Sequence, residues 1–327
     1  MKSKTHMNRR EILALGGGTL LSSQLMAQSK WPSKPIRLII PFAPGGSNDI
    51  IGRLLATKMT QRLKQPVVVE NKGGSGGTIG TDYVAKSAPD GHTLLFASTS
   101  ITTNAAGNKK LPYDLIQDLQ PIGGVGATPF VVVVANNVKA KNLREFIEIA
   151  KANPKGVSYG TAGIGGINHL GTELFALACN IELTHIPYKG IGPSFADIMS
   201  GNLQMILPTV ASVVQQVKAG NMRALAVTSL ERSSLIPDIP TTDEAGLPGF
   251  QLEAWFGLLA SANTPAETIN RINQELMAIL SLQEVKEILA RDGAVPRPSS
   301  PEAFKKLIVS DLERWNRVIK DSSLKLD

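Results

Sequence analysis

Gly73-Gly74-Ser75-Gly76-Gly77 satisfies the G-x-S-x-G pattern, in which a sharp strand-to-helix turn lifts a serine nucleophile above a sheet. A hydrolase built that way needs an acid and a histidine further along the chain. The last histidine is His185, and the C-terminal third has none. A run that is nearly all glycine matches the pattern easily, so the expected role of this segment is a turn with a flexible backbone. Metal chemistry has as little support. Apart from His6, only His92, His169 and His185 remain, and no two of them have the i, i+4 spacing of a helical zinc site. The better-supported chemistry is anion binding. Glycine and hydroxyl residues recur where strands give way to helices, as in Phe42-Ala43-Pro44-Gly45-Gly46-Ser47 followed by Asp49. Such a turn presents unpaired N–H groups at a helix start, where the dipole favours negative charge. The first turn has neither a Walker lysine nor G-x-G-x-x-G spacing, so a carboxylate fits it better than a nucleotide phosphate.

The elements that must hold these turns can be read from periodicity. Ile36 to Ile40 is a short buried strand, and Ser47, Asn48 and Asp49 offer cap side chains to a helix with Ile50, Ile51, Leu54, Leu55, Met59 and Leu63 on one face. A strand at Pro66 to Glu70 leads through the Ser75 turn to a helix at Thr78 to Lys86. A strand at Thr93 to Ala97 ends in Ser98-Thr99-Ser100. The strand Val157 to Tyr159 precedes Thr161-Ala162-Gly163-Ile164-Gly165-Gly166 and a helix carrying His169. Several such turns imply one cleft at the carboxyl ends of parallel strands. Pro129 to Val134 and Trp255 to Ala260 read as buried strands. Strands at Ile181 to Ile186, Leu203 to Leu207 and Ala224 to Thr228 lie between them. Helices near 265–280, 284–292 and 301–320 complete the pattern.

The blocks "PIRLIIPFAPGGSNDIIGRLLA", "VVVENKGGSGGTIGTDYVAKSAPDGHTLLFAS", "YGTAGIGGINHL", "HIPYKGIGPSFADIMSGNLQMIL", "TSLERSSLIPDIPTTDEAGLPGF" and "AWFGLLASANTP" occur in this order. Together they resemble the substrate-binding proteins of tripartite tricarboxylate transporters, the Bug family, over essentially everything from Trp31 onward. The resemblance implies an α/β, two-lobed periplasmic binding protein fold with a two-strand hinge and a ligand cleft between the lobes. One lobe would take residues 31–128 plus 255–327, and the other 129–254. The implied function is capture of a small organic carboxylate for subunits of a membrane transporter, without catalysis or cofactor. A monomer is expected. The chain departs from the family pattern at Gln204, where an aspartate is usual.

Composition fits this reading. The chain has 327 residues, 43% hydrophobic and 19% charged, enough for two cored lobes. Lys2, Lys4, Arg9 and Arg10, then the apolar run from Ile12 to Leu21 and Leu25-Met26-Ala27, read as a cleavable export signal over residues 1–27. Asn8-Arg9-Arg10-Glu11-Ile12-Leu13 resembles a twin-arginine signal. That segment carries +3, and removing it from +7 leaves +4, a mild excess that suits an acidic ligand but not nucleic acid. Cys179 lies far from the cleavage point and reads as a small core residue rather than a lipid anchor.

The expected contacts are Phe42, Ala43, Pro44, Gly45, Gly46, Ser47 and Asp49, with Ser75, Ser98 and Thr99, then Thr161, Ala162, Gly163, Gly165, Gly166 and His169. Amides and hydroxyls would hold carboxylate oxygens, Phe42 and Trp255 would enclose the carbon skeleton, and Asp49 would cap its helix or orient a water. Two anion sites facing each other favour a dicarboxylate, with an aromatic skeleton compatible. If Gln204 reaches the pocket, an amino-acid ligand is disfavoured there. Tyr188 and Lys189 are further contacts expected from the second lobe. Two other readings remain open, a ligand sensor for a signalling receptor and a serine hydrolase using Ser75.

Overall fold

Ile36–Ile40 (β1) is apolar throughout apart from Arg37, and it is sandwiched between parallel neighbours Val67–Asn71 (β2) and Thr93–Ser98 (β3). The structure, a computed structural model, describes residues 31–108, 110–291 and 293–322. Residues 34–327 group as one compact unit; Trp31–Ser33 belong to another and carry no helix or strand. The expected export signal lies outside the described residues.

Helices Ser47–Leu63 (α1), Thr78–Ala85 (α2) and Ser100–Gly107 (α3) each follow one of these strands. Leu119–Pro129 (β4) and Val131–Val134 (β5) come next, then Leu143–Ala152 (α4), Ser158–Thr161 (β6), Ile167–Cys179 (α5), Thr184–Pro187 (β7) and Ser194–Ser200 (α6). Met205–Ile206 (β8), Val210–Lys218 (α7), Arg223–Val227 (β9) and Glu253–Ser261 (β10) follow. Ala266–Ser281 (α8), Gln283–Arg291 (α9), Val295–Pro296 (β11) and Pro301–Ser322 (α10) end the described chain. Two mixed sheets result, ordered β11-β4-β10-β3-β1-β2 and β7-β6-β8-β5-β9. In each, a parallel trio is joined to antiparallel strands. This is the two-lobed α/β architecture expected.

The chain passes from the first sheet to the second at Phe130, between β4 and β5, and returns at Leu252, just before β10. A single buried threonine ties the crossings together. The Thr228 hydroxyl donates to the Leu252 carbonyl at 2.6 Å and accepts from the Phe130 amide at 2.9 Å. The Thr228 amide donates to Phe130, and the Leu252 amide to Thr228.

Several expected boundaries move. The run Pro129 to Val134 is not one strand, because Phe130 is the point where the chain changes sheet. The strand expected at Ile181 starts at Thr184, and that expected at 203–207 shrinks to two residues. Sequence periodicity also missed β4, α3 and α7. Strand β4 is masked by Gly123, Gly124 and Gly126, where an added Cβ would meet carbonyl or hydroxyl oxygens of the 295–299 segment at 2.8 Å. Among the described residues, no helix is long and apolar enough to cross a membrane.

Candidate functional site

Residues at or just beyond the carboxyl ends of β1, β3, β6 and β8 share the wall of one cavity of about 30 Å³, on a measure where one water needs roughly 10–15 Å³. Its wall comprises Phe42, Gly46, Ser47, Asn48, Ser98, Ser100, Ala254 and Phe256 from the first-sheet side. Phe130, Ala162, Ile167, Asn168, Ile191 and Thr209 complete it. Four helix starts therefore meet at one space: α1 at Gly46 to Asn48, α3 at Ser100, α5 at Ile167 and Asn168, and α7 just after Thr209. Not one of these fourteen residues is ionisable. Proton transfer has no side chain here to perform it; binding by oriented dipoles does.

The first turn is organised by a charge that faces elsewhere. Asp49 Oδ1 accepts from Arg53 at 3.0 Å and Asn71 at 2.9 Å, and Oδ2 from the Gly45 amide at 3.3 Å. Burial alone would raise the Asp49 carboxyl, but these hydrogen bonds outweigh it and hold it below the ordinary carboxylate range. The N-cap of α1 is Gly46, which has no side chain, so the expected capping by Ser47, Asn48 or Asp49 does not occur. Asp49 instead braces the turn preceding the helix.

Three amides of the second-lobe turn are already committed. Gly163 donates to Thr161 Oγ1 at 3.2 Å, Gly165 to His169 Nδ1 at 3.2 Å, and Ile167 to Ser100 Oγ at 3.2 Å. His169 stacks on His185, ring centroids 4.1 Å apart, and His185 stacks in turn on Tyr159. Burial pushes His169 down, and burial together with the neighbouring ring pushes His185 down to about 4. Glu173 follows His169 by one helical turn, as a metal ligand might, but accepts a hydrogen bond from the Tyr159 hydroxyl instead. Among the described residues, no group of three or more His, Cys, Asp or Glu side chains is placed to hold a metal.

The expected site residues thus divide by place. Phe42, Gly46, Ser47, Ser98 and Ala162 line the cavity. Ala43, Ser75, Gly163 and Gly165 line a neighbouring, more open pocket of about 840 Å³, together with Tyr188 and Lys189. Pro44, Gly45, Asp49, Thr99, Thr161, Gly166 and His169 line neither; several of them buttress the turns. Trp255 is a correction. Side chains alternate along β10, so Ala254 and Phe256 face the cavity while the Trp255 ring packs edge-on against Phe304. Its indole N–H donates to Asp311 at 2.9 Å. Gln204 does not line the cavity: its Oε1 accepts from the Ser158 amide and hydroxyl, and its Nε2 donates to Gly201. The condition on which it disfavoured amino acids is unmet. Burial pushes the Cys179 thiol up to about 12, as suits a core residue.

Sequence reasoning overlooked nine wall residues: Asn48, Ser100, Phe130, Ile167, Asn168, Ile191, Thr209, Ala254 and Phe256. Asn168 and Ser100 stood inside motifs already singled out, and Phe256 follows from the period-2 rule once Trp255 is placed outward. Nothing local in the sequence marks Ile191 or Thr209.

Comparison with known proteins agrees with this geometry. A family model described as tripartite tricarboxylate transporter family receptor matches residues 51–324. The periplasmic binding protein BugD is 33% identical with a TM-score of 0.87, covering 90% of this chain and 99% of its own. Rpa4515 of R. palustris, solved with adipate, is 30% identical with a TM-score of 0.87 over 90% of this chain and 99% of its own. MatC (Rpa3494) of Rhodopseudomonas palustris, solved with bound malate, is 30% identical with a TM-score of 0.85 over 88% and 100%. With two lobes, a cavity between them and a family-model match over residues 51–324, the chain belongs to the tripartite tricarboxylate transporter receptor family.

Proposed function

We propose that this protein is a periplasmic receptor that encloses a small organic carboxylate between its lobes and delivers it to a tripartite tricarboxylate-type membrane transporter. The observation that carries this reading is the convergence of four helix starts on a buried cavity without an ionisable side chain. Each helix N-terminus has roughly half a positive charge to offer. An anion is stabilised there, whereas an ammonium group would be buried without a carboxylate partner. The proposed lobes are 31–128 plus 255–327, and 129–254. The proposed mature chain starts near Gln28 after loss of an export signal, and it acts as a monomer without cofactor.

Within the carboxylates a dicarboxylate is the proposed ligand class. The relatives solved with adipate and with malate support it, and an aromatic skeleton is compatible with Phe42, Phe130 and Phe256 in the wall. Calorimetry with a dicarboxylate, its monoamide and the matching amino acid tests the class. Binding of the dicarboxylate alone is expected. Equal affinity for the monoamide would remove the second anion site, and tight amino-acid binding would overturn the electrostatic reading altogether.

A further inference from the structure

We propose that Asn48 is the side chain that reads the ligand's anionic group, its amide kept unpaired for that purpose. This rests on the carboxylate-binding reading above and deepens it. Asn48 lies in the cavity wall at the first turn of α1 and is only 8% exposed, yet its Nδ2 is buried with no hydrogen-bond partner. A buried amide donor left unmade is unfavourable, so folded proteins rarely keep one without a use. The other wall amide contrasts with it: Asn168 Nδ2 is spent on the Leu207 carbonyl at 2.8 Å.

Of the four wall hydroxyls, those of Ser47, Ser98, Ser100 and Thr209, two are engaged within the protein, and Asn48 is the wall's one side-chain amide with its donor unused. The Ser100 hydroxyl accepts from Ile167, and the Thr209 hydroxyl donates to Ser212. The one carboxylate in the same turn, Asp49, is consumed by Arg53, Asn71 and Gly45 and does not oppose an anion at the helix start. Asn48 therefore combines an unused donor with the positive end of a seventeen-residue helix. A carboxylate oxygen accepting from Nδ2 makes a charge-assisted hydrogen bond, and a cation gains nothing from that donor.

The test separates a reading residue from a structural one, because the two roles move stability in opposite directions. Asn48→Ala deletes an unsatisfied donor, so without ligand its Tm is expected to stay the same or rise. Its affinity for the carboxylate that wild type binds most tightly, chosen from a mono-, di- and tricarboxylate panel, is expected to fall about 10- to 100-fold, the range of a hydrogen bond to a charged group. Asn48→Asp, which places a negative charge at the same point, is expected to abolish binding while remaining folded by circular dichroism. If Asn48→Ala binds the carboxylate as wild type does, or lowers the Tm while leaving affinity unchanged, the assignment is wrong. Failure of wild type itself to bind any carboxylate would instead overturn the receptor reading on which it stands.

Discussion

His169 of α5 and His185 of β7 form a stacked pair beside the second-lobe turn, and their behaviour with pH follows from what surrounds them. His169 Nδ1 must be unprotonated to accept from the Gly165 amide, and the rings lie face to face at 4.1 Å. The other groups facing them are Glu173, spent on the Tyr159 hydroxyl, Tyr159 itself, and the Thr161 hydroxyl, 2.6 Å from His185 Nε2. Both rings are held below the ordinary imidazole value of 6.5, His185 at about 4. The unfolded chain therefore takes up protons more readily than the folded one. The stability these rings contribute is full above about pH 6.5 and is lost as pH falls toward 4. The Tm should drop between pH 7 and pH 4.5, and His185→Gln should drop less steeply than wild type over that interval. Identical slopes would show that the pair is not the titrating device. At this same scale the sequence was only partly legible. Ser47, Ser98 and Ala162 could be named because each sits in a glycine or hydroxyl turn. The facing of Trp255 and the place of Asn48 in the cavity wall depend on rotation about a strand and a helix axis, which composition does not carry.

Elements meet across the cleft through bare backbone. The Ala43 amide donates to the Lys189 carbonyl at 3.0 Å, joining the two lobes directly. An added Cβ on Gly192 would lie 2.3 Å from the Pro44 carbonyl oxygen and 3.1 Å from Gly45 Cα. One on Gly190 would lie 2.8 Å from the Ala43 amide nitrogen. Every nearest atom is in the opposite lobe, and neither glycine adopts a positive φ. An added Cβ at either position therefore meets the opposite lobe first, and alanine is expected to hinder the meeting of the lobes. Gly192→Ala should fold with an unligated Tm close to that of wild type but bind ligand at least tenfold more weakly, as read by calorimetry; wild-type affinity would show that this seam does not limit closure. The crossing tie makes a complementary prediction. Thr228→Val leaves the Leu252 carbonyl without its 2.6 Å donor in a fully buried spot, and should lower stability by about 1–3 kcal/mol in urea unfolding. An unchanged midpoint would mean that solvent or another group replaces the hydroxyl. Sequence made the strands and helices around these points legible through their periods. It did not make β4 legible, because that strand's glycines answer to a neighbouring segment rather than to a pleat of their own. Residues chosen for a distant contact leave no local signature.

For the whole molecule, the two sheets, the two crossings and the small cavity between them lead us to expect motion. A space of about 30 Å³, walled on both sides by buried residues such as Phe42, Phe130 and Phe256, is small for a carbon skeleton, and parting of the lobes is the expected way in. Phe42 belongs to the first-sheet side, yet it packs in the same apolar cluster as Ile191, Ala162 and Val210 of the second, so opening must expose this apolar contact to water. A ligand favours the closed form only by touching both lobes at once. The stabilisation it brings grows as RT ln(1 + [L]/Kd), about 2.7 kcal/mol at a hundredfold excess over Kd. Only the strands at Phe130 and Leu252 need to bend for the lobes to separate, since the Thr228 tie keeps the crossings together. A compact body of about 300 residues has a radius of gyration of about 19 Å. Small-angle scattering should therefore give a value near this with saturating dicarboxylate and a larger one without it. Gly192→Ala should stay at the larger value in both conditions. A wild-type profile that does not change at saturating ligand, with binding verified in the same sample by calorimetry, would mean that the receptor takes its ligand without moving its lobes.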